Sequence, residues 1–359
     1  MRVALIHYWL LGMRGGEKVL ESLCRLLPQA DIFTLFYNPE KVSSVIRDRK
    51  VTASFLNPFR RTHRALLPLM PMALEHFDLR GYDLVISSES GPAKGVLVSA
   101  NSRHLCYCHS PMRYLWELYP AYMHDFTRSG LLRALIAPTA SYLRTWDYAT
   151  AARVDEFVAN SSNSARRIMR AYRRESKVVY PPVAVDTFHW QPPEDYFLIV
   201  SELVRYKQID YVVRLASQTG FRLKIAGSGP EYRRLRRMSA SNVEFCGYVP
   251  DTQLRDLYSR CRALIVPGEE DFGITMVEAL ASGKPVIALA MGGALEVIPT
   301  AEPCGGVLYD SATASHLAAA LQQFDRVEPS VRPDDLQSYA ARFSERRFLD
   351  AMSSILRLC

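Results

Sequence analysis

Between Tyr180 and Glu194 the chain carries two adjacent proline pairs, Pro181-Pro182 and Pro192-Pro193. Proline fixes φ and lacks an amide hydrogen, so this stretch is neither a helix nor a central strand. On either side of it, short apolar runs alternate with longer stretches of helical character. In the first half the runs are Val3–Tyr8, Asp31–Phe36, Tyr82–Ser87, His104–Cys108 and Glu156–Ala159. Gly15-Gly16 follows the first run and precedes a helix expected over Glu17–Leu27; a second helix is expected over Ser161–Tyr172 behind an Asn-Ser-Ser capping cluster. In the second half strands are expected at Phe197–Ser201, Arg222–Ala226, Val243–Cys246, Ala263–Val266 and Pro285–Ala288. Helices begin there at Gln208 and Glu231 and span Asp251–Ser259 and Ile274–Ser282. Short apolar runs punctuated in this way read as strands buried on both faces, and strand–helix alternation implies parallel sheets with right-handed crossovers. The fold class is therefore α/β, with two Rossmann-like parallel-sheet domains facing a cleft. The domains are expected at residues 1–185 and 186–340, with a C-terminal helix in 341–359 packing back on the first.

Composition excludes several classes. Of the 359 residues, 48% are hydrophobic and 23% charged, which excludes disordered, collagenous and coiled-coil chains. Seven cysteines without a Cys-x-x-Cys pair give neither a disulfide scaffold nor a zinc site, and point to a reduced, cytoplasmic protein. The apolar start at Met1–His7 is too short for a signal peptide, and no run of about 18 apolar residues occurs. The net charge of +7 is uneven: residues 1–185 hold 25 Lys and Arg against 15 Asp and Glu, the remainder 19 against 22. A basic first half suits an anionic partner: a lipid headgroup, a phosphorylated substrate or nucleic acid.

The strongest chemical signal is Pro267-Gly-Glu-Glu-Asp-Phe-Gly-Ile-Thr-Met-Val-Glu-Ala-Leu-Ala-Ser-Gly-Lys-Pro285. A strand ends at Pro267, an acidic loop follows, and a helix opens near Ile274. In a parallel sheet this loop lies at the carboxyl end of a strand, where ligands bind. The amides around Gly273, Ile274 and Thr275 suit a phosphate. Glu270 and Glu278 are eight residues apart, one in the loop and one two turns into the helix. An acidic first turn also merely complements a helix dipole, and the residues alone do not separate the two readings.

The stretch Glu270–Glu278, continued by Ala-Leu-Ala-Ser-Gly-Lys-Pro-Val-Ile-Ala and by Gly292-Gly-Ala-Leu-Glu296, resembles the E-x7-E signature of glycosyltransferase family 4. These are retaining GT-B enzymes using nucleotide sugars, and the wording is closest to mannosyltransferases of polysaccharide and O-antigen assembly. The resemblance covers nearly the whole chain. It implies that Glu270 lies beside the transferred sugar and that Glu278 holds the nucleotide ribose, where a carboxylate accepts two vicinal hydroxyls. Phe272 lies within the same block. Val200-Ser-Glu-Leu-Val-Arg-Tyr-Lys207 resembles the segment that brings an Arg and a Lys to the diphosphate. Lys207 matches directly; the usual Arg position falls on Glu202, and Arg205 stands nearby. Gly227-Ser-Gly-Pro230 is a weak dinucleotide fingerprint, lacking the third glycine, but is similar to the family's turn beside the nucleotide. Phe245-Cys-Gly-Tyr-Val-Pro250 is similar to the turn whose main chain meets the base, which brings in Tyr248 and Val249. In the first half Gly15 and Gly16 permit close approach to a phosphate or sugar. His109, in Tyr107-Cys-His-Ser-Pro-Met-Arg113, matches the family's active-site His on the donor sugar, and Asn160-Ser161 matches a further turn near the cleft.

Two basic-apolar stretches remain. Asn57–Met72 places Arg60, Arg61 and Arg64 before an apolar run; Arg128–Trp146 mixes Arg128, Arg133 and Arg144 with Leu, Ile, Tyr and Trp. Both resemble interfacial segments resting on an anionic leaflet, and both fit equally well as core helices with snorkelling arginines.

The resemblance implies a cytoplasmic, membrane-peripheral transferase at the inner face of the cytoplasmic membrane. It would move mannose from GDP-mannose to a hydroxyl of a lipid-linked glycan, on polyprenyl diphosphate. No Asp-x-Asp occurs, so a metal-independent site without a cofactor is expected. A nucleotide-sugar 2-epimerase or a phosphorylase would share the fold. An epimerase would not need the basic-apolar segments, and a pyridoxal phosphorylase is much longer. A nucleic-acid-binding protein, suggested only by the basic pI near 9.0, gives Glu270 and Glu278 no task, so no nucleic-acid partner is expected. The missing GxGxxG disfavours an NAD oxidoreductase.

Overall fold

The computed structural model describes residues 1–120, 123, 130–301 and 304–357, with the side chains of 131–135 left aside. The chain divides into two compact units, Met1–Tyr180 with Leu349–Cys359, and Pro181–Phe348. The division thus falls five residues before the expected 185/186 boundary. The expected C-terminal helix spans Glu345–Leu356, and its last turns group with the first unit, where Arg103 donates to the Ile355 carbonyl at 3.0 Å.

The first unit holds β1 (Val3–Leu10), β2 (Asp31–Tyr37), β3 (Val51–Ala53), β4 (Leu84–Glu89), β5 (Arg103–Cys108), β6 (Glu156–Ala159) and β7 (Ser176–Val178). They form one parallel sheet in the order β3-β2-β1-β4-β5-β6-β7. The longer helices are α1 (Gly15–Leu26), α2 (Gly130–Thr150) and α3 (Ser162–Tyr172). The second unit holds β8 (Phe197–Val200), β9 (Leu223–Ala226), β10 (Val243–Gly247), β11 (Leu264–Val266), β12 (Val286–Leu289) and β13 (Gly306–Tyr309), parallel in the order β10-β9-β8-β11-β12-β13. Its helices include α4 (Ile209–Thr219), α5 (Tyr232–Arg237), α6 (Asp251–Arg260), α7 (Ile274–Ala281) and α8 (Ala314–Val327).

The central strands are fully buried, β1 at Ala4, Leu5 and Ile6 and β11 at Leu264 and Ile265, because helices cover both faces of each sheet. The sequence pattern missed β3, β7 and β13. The first two are three-residue edge strands; β3 is part-exposed along its length, and β7, which reads Ser-Lys-Val, is exposed at its last two residues. An edge strand buries too little to need an apolar run. In β13 buried and part-exposed positions alternate, and it lay beyond the last expected strand. Gly15 and Gly16 are also corrected: they are the first residues of α1 rather than a turn before it.

In each sheet the strand order reverses once, between β1 and β4 and between β8 and β11. In open α/β sheets ligands bind outside the carboxyl ends of the strands at such a reversal. Each unit therefore presents one preferred site, and the segments that leave β1, β4, β8 and β11 form them.

Among the described residues no helix is long and apolar enough to cross a membrane.

Candidate active site

In the second unit, β8 runs into Ser201–Lys207 and β11 into Pro267–Gly273. The first segment ends in a 3-10 turn, Arg205–Lys207, and Gln208 adopts a left-handed φ of 54° before α4. That turn sets the Lys207 ammonium against Glu270, with Nζ 2.6 Å from both carboxylate oxygens. Burial pulls the Lys207 pKa down, but Glu270 and the nearby Tyr206 and Asp271 outweigh it, and the pKa is raised. Lys207 is therefore a fixed cation at neutral pH. Arg205 is exposed at the same turn, and Glu202 lies part-buried three residues before it.

Gly273 has φ 95° and caps α7; a Cβ there would lie 1.9 Å from the Met276 methyl. By helix geometry the amides of Ile274 and Thr275 have no intrahelical acceptor, so α7 opens with donors at the switch point. Phe272, expected among the donor contacts, turns its side chain inward, buried and edge-on to Phe343 at 5.5 Å. It offers its backbone only. The Gly292-Gly293 loop braces this turn: the Gly293 amide donates to the Glu270 carbonyl at 2.8 Å.

Glu278 points from α7 into the unit and is 6% exposed. Tyr258 on α6 donates its hydroxyl to Glu278 Oε2 at 2.9 Å and thereby fixes the carboxylate. Nothing in the sequence marked Tyr258, since a buried tyrosine on an amphipathic helix reads as core. The Gly227-Ser-Gly turn follows β9. Gly227 has φ 140°, and a Cβ on it would stand 1.9 Å from the Ser201 carbonyl oxygen; one on Gly229 would stand 2.3 Å from that of Leu203. The glycines let this turn pack against the segment that carries Lys207. Tyr248, in the next turn, is 82% exposed, and Val249 is part-buried beside it.

In the first unit, β1, β4 and β5 bring together His7, Ser88, His109 and Gly16. Ser88 Oγ lies 3.1 Å from His109 Nε2, and the His109 amide donates to the Glu89 carbonyl at 2.7 Å. Ser164 Oγ donates to the His109 carbonyl at 2.7 Å, and Ser161 caps α3 by accepting the Ser164 amide. The Asn160-Ser161 turn thus braces His109. A Cβ on Gly16 would lie 3.5 Å from both His109 Nε2 and His7 Cε1, so this glycine keeps the space between the two rings and α1 open. His7 is fully buried, and burial with the neighbouring His109 holds its pKa down to about 3. It is neutral at every physiological pH. The sequence reading passed over His7 because it closed an apolar run, although it stands near a strand's carboxyl end as His109 does.

The basic-apolar segments separate. Arg60, Arg61 and Arg64 line a concavity of about 660 Å³ rather than a flat face. Arg144 donates to the Leu115 carbonyl at 2.8 Å and stacks over Tyr119, so it serves the fold. Arg128 and the Arg133 side chain lie outside the described residues.

Glu278→Ala is expected to weaken nucleoside diphosphate binding at least tenfold, and Glu270→Ala to lower kcat without weakening nucleotide binding. Losing a hydrogen-bonded carboxylate costs on the order of 1.5–3 kcal/mol. Calorimetric titration of both variants checks the split; unchanged affinity in Glu278→Ala removes the ribose assignment.

Two family models together match residues 13–341: "Glycosyltransferase Family 4" over residues 13–187 and "Glycosyl transferases group 1" over residues 186–341. The D-rhamnosyltransferase WbpZ of Pseudomonas aeruginosa is 29% identical over 192 residues, 48% of each chain. The O-antigen chain mannosyltransferase C of Escherichia coli is 24% identical over 221 residues, 56% of this chain and 60% of that one. The chain spans about half the length of the curated relatives it matches. The solved structure of Anabaena HepE in complex with UDP-glucose superposes with a TM-score of 0.72 at 15% identity, covering all of both chains. With two parallel-sheet units and both halves matched, the chain belongs to the family 4 glycosyltransferases and has the GT-B fold.

Proposed function

We propose that this glycosyltransferase moves mannose from GDP-mannose to a hydroxyl of a lipid-linked glycan on polyprenyl diphosphate, with retention at the anomeric carbon. The observation that carries the reading is the Lys207–Glu270 pair beside the first turn of α7, at the β8/β11 reversal. Lys207, Arg205 and the amides of Gly273, Ile274 and Thr275 take the diphosphate, Glu278 takes the ribose, and the Gly247-Tyr248-Val249 turn takes the base. His109 hydrogen-bonds the donor sugar. The diphosphate competes with Glu270 for Lys207, and the carboxylate so released turns to the sugar. As the anomeric C–O bond to phosphate breaks, charge builds on the departing oxygen, and preorganised cations and amides stabilise it. The acceptor oxygen attacks from the same face and its proton passes to that departing oxygen. The E. coli relative supports mannose, and the likeness of the Glu270–Glu278 block supports the donor class.

No metal has a place in this scheme. Among the described residues the one group of three His, Cys, Asp or Glu side chains close enough to share an ion is Glu89, Cys106 and Cys108, buried in the first unit with the Lys94 ammonium 3.6 Å from Glu89. Transfer is expected to proceed at an unchanged rate in EDTA; a strict need for magnesium or manganese, restored on adding the ion, overturns the metal-free scheme.

The protein is proposed to act at the inner face of the cytoplasmic membrane, since Phe59 and Leu69 are large apolar side chains left exposed in the turn before the Met70–Glu75 helix. The direct test is a thermal-shift panel of GDP, UDP and ADP, because a ligand of the folded state raises the melting temperature. GDP alone should raise it. A shift with UDP or ADP and none with GDP overturns the guanine donor; no shift with any overturns the transferase reading of the site.

A further inference from the structure

The concavity around Arg60 and Arg61 lies wholly in the first unit, and the assigned catalytic residues do not line it. Its walls come from Leu11, Gly12 and Arg14 after β1, from Asn38–Lys41 after β2, and from the turn that carries Arg60, Arg61, His63 and Arg64. At about 660 Å³ it is the size of a small-molecule site and far larger than one phosphate needs. It opens at the carboxyl ends of β1 and β2, the ligand-binding side of a parallel sheet.

Five basic side chains, Arg14, Lys41, Arg60, Arg61 and Arg64, meet two carboxylates, Glu17 and Glu40. Glu17 is buried and accepts the Arg14 amide at 3.0 Å, so it is committed to capping α1. The excess of positive charge is therefore local and concave, which water-exposed arginines on an open helix face would not give. The floor is aromatic. The His63 ring packs edge-on to Trp9 at 4.9 Å and lies 5.8 Å from Phe36. Its Nδ1 is 2.9 Å from the Arg60 carbonyl, which can only accept; His63 therefore donates there and leaves Nε2 as an acceptor when neutral. Guanidinium groups grip phosphate oxygens in pairs, and an aromatic floor with an imidazole acceptor suits a sugar or isoprenoid attached to that phosphate.

We propose that this pocket binds the phosphate or diphosphate group of the acceptor substrate, with Arg60, Arg61 and Lys41 as its principal ligands. It rests on the transferase reading only for the word acceptor. The same chemistry serves a lipid-linked diphosphate or a soluble sugar phosphate. It assigns the arginines of this segment to the recognition of one molecule rather than to general adhesion.

The test is calorimetric titration of the full chain carrying Lys207→Ala, which disables the diphosphate site of the second unit. The probes are inorganic pyrophosphate, farnesyl diphosphate and farnesol. Farnesyl diphosphate should bind, farnesol should not, and Arg60→Ser with Arg61→Ser should weaken the diphosphates at least tenfold. Farnesyl diphosphate binding far tighter than pyrophosphate supports the pocket with a lipid-linked source; equal binding supports it with a soluble one. Lys41→Ser, on a different loop, should reproduce the loss, which guards against a misfolded double variant. No diphosphate binding, or binding indifferent to these substitutions, overturns the proposal. So does loss of anionic-vesicle sedimentation in the double variant without any soluble diphosphate binding, which makes the arginines a membrane patch. The otherwise unsubstituted protein, titrated with GDP in parallel, separates failures: GDP binding without acceptor-anion binding sinks the pocket alone, and absent GDP binding sinks the donor reading.

Discussion

Replacing Lys207 by alanine is expected to lower kcat about a thousandfold while leaving the protein folded. The ammonium is the cation held at the β8/β11 reversal, with both Glu270 oxygens at 2.6 Å. In the proposed mechanism it offsets charge growing on the departing phosphate, and removal of one such preorganised donor costs about 10²–10³ in rate. A second loss adds to it, because Glu270 without its partner repels the incoming diphosphate. The two side chains are 16% and 21% exposed, so Glu270 keeps access to water once the ammonium is gone, and the loss of stability should be smaller than for a fully buried pair. Glu202→Ala, at the position where the resemblance leads to the expectation of an arginine, is expected to stay within about threefold of the parent. Steady-state kinetics at saturating donor check both. A Lys207→Ala variant within tenfold of the parent means that other groups neutralise the leaving phosphate.

The largest stability effect is expected at Lys94. Its side chain is fully buried in the first unit, hydrogen-bonded to Asp147, 3.6 Å from Glu89 and 4.5 Å above the Tyr172 ring. Asp147 also accepts from Trp116 at 2.7 Å and from Tyr172 at 2.9 Å. Burial pushes the Glu89 pKa up to about 7, against the pull of Lys94. Lys94→Met keeps the volume but strands the two carboxylates, and breaking a buried ion pair on one side costs about 3–5 kcal/mol. The sign of the pH dependence follows. Without Lys94 the Glu89 pKa rises further in the folded state, and protonation then relieves the burial cost. The deficit relative to the parent should shrink as pH falls from 8 towards 5. Urea unfolding of parent and variant at both pH values checks this; a loss below about 1 kcal/mol at pH 8 means the cluster is not held by its charges. The consequence reaches the site, because the Glu89 carbonyl holds the His109 amide.

The sequence by itself determined the α/β class and most of the central strands. Parallel strands covered on both faces must be continuous apolar runs, and β1, β5, β6, β8 and β11 all lie within a residue or two of where such runs placed them. It also determined the 267–285 block, because a loop that ends a strand, turns through a left-handed glycine and opens a helix needs its residues contiguous. Glu270, Gly273 and Glu278 were legible for that reason.

What only the tertiary structure decided is whatever depends on side chains distant in the chain. Lys207 and Glu270 are 63 residues apart, and nothing in either segment announces the ion pair. Tyr258 reads as a core residue until α6 sets its hydroxyl on Glu278. Phe272 sits in a signature yet faces the interior, since a loop that must expose its backbone buries an aromatic ring to hold its shape. The edge strands β3 and β7 were invisible because an edge buries one side only. Arg60, Arg61 and Arg64 show the same limit most plainly. Charge and spacing are one-dimensional and gave a basic-apolar segment; concavity arises when loops after β1 and β2 close around it, and concavity separates a pocket from a surface.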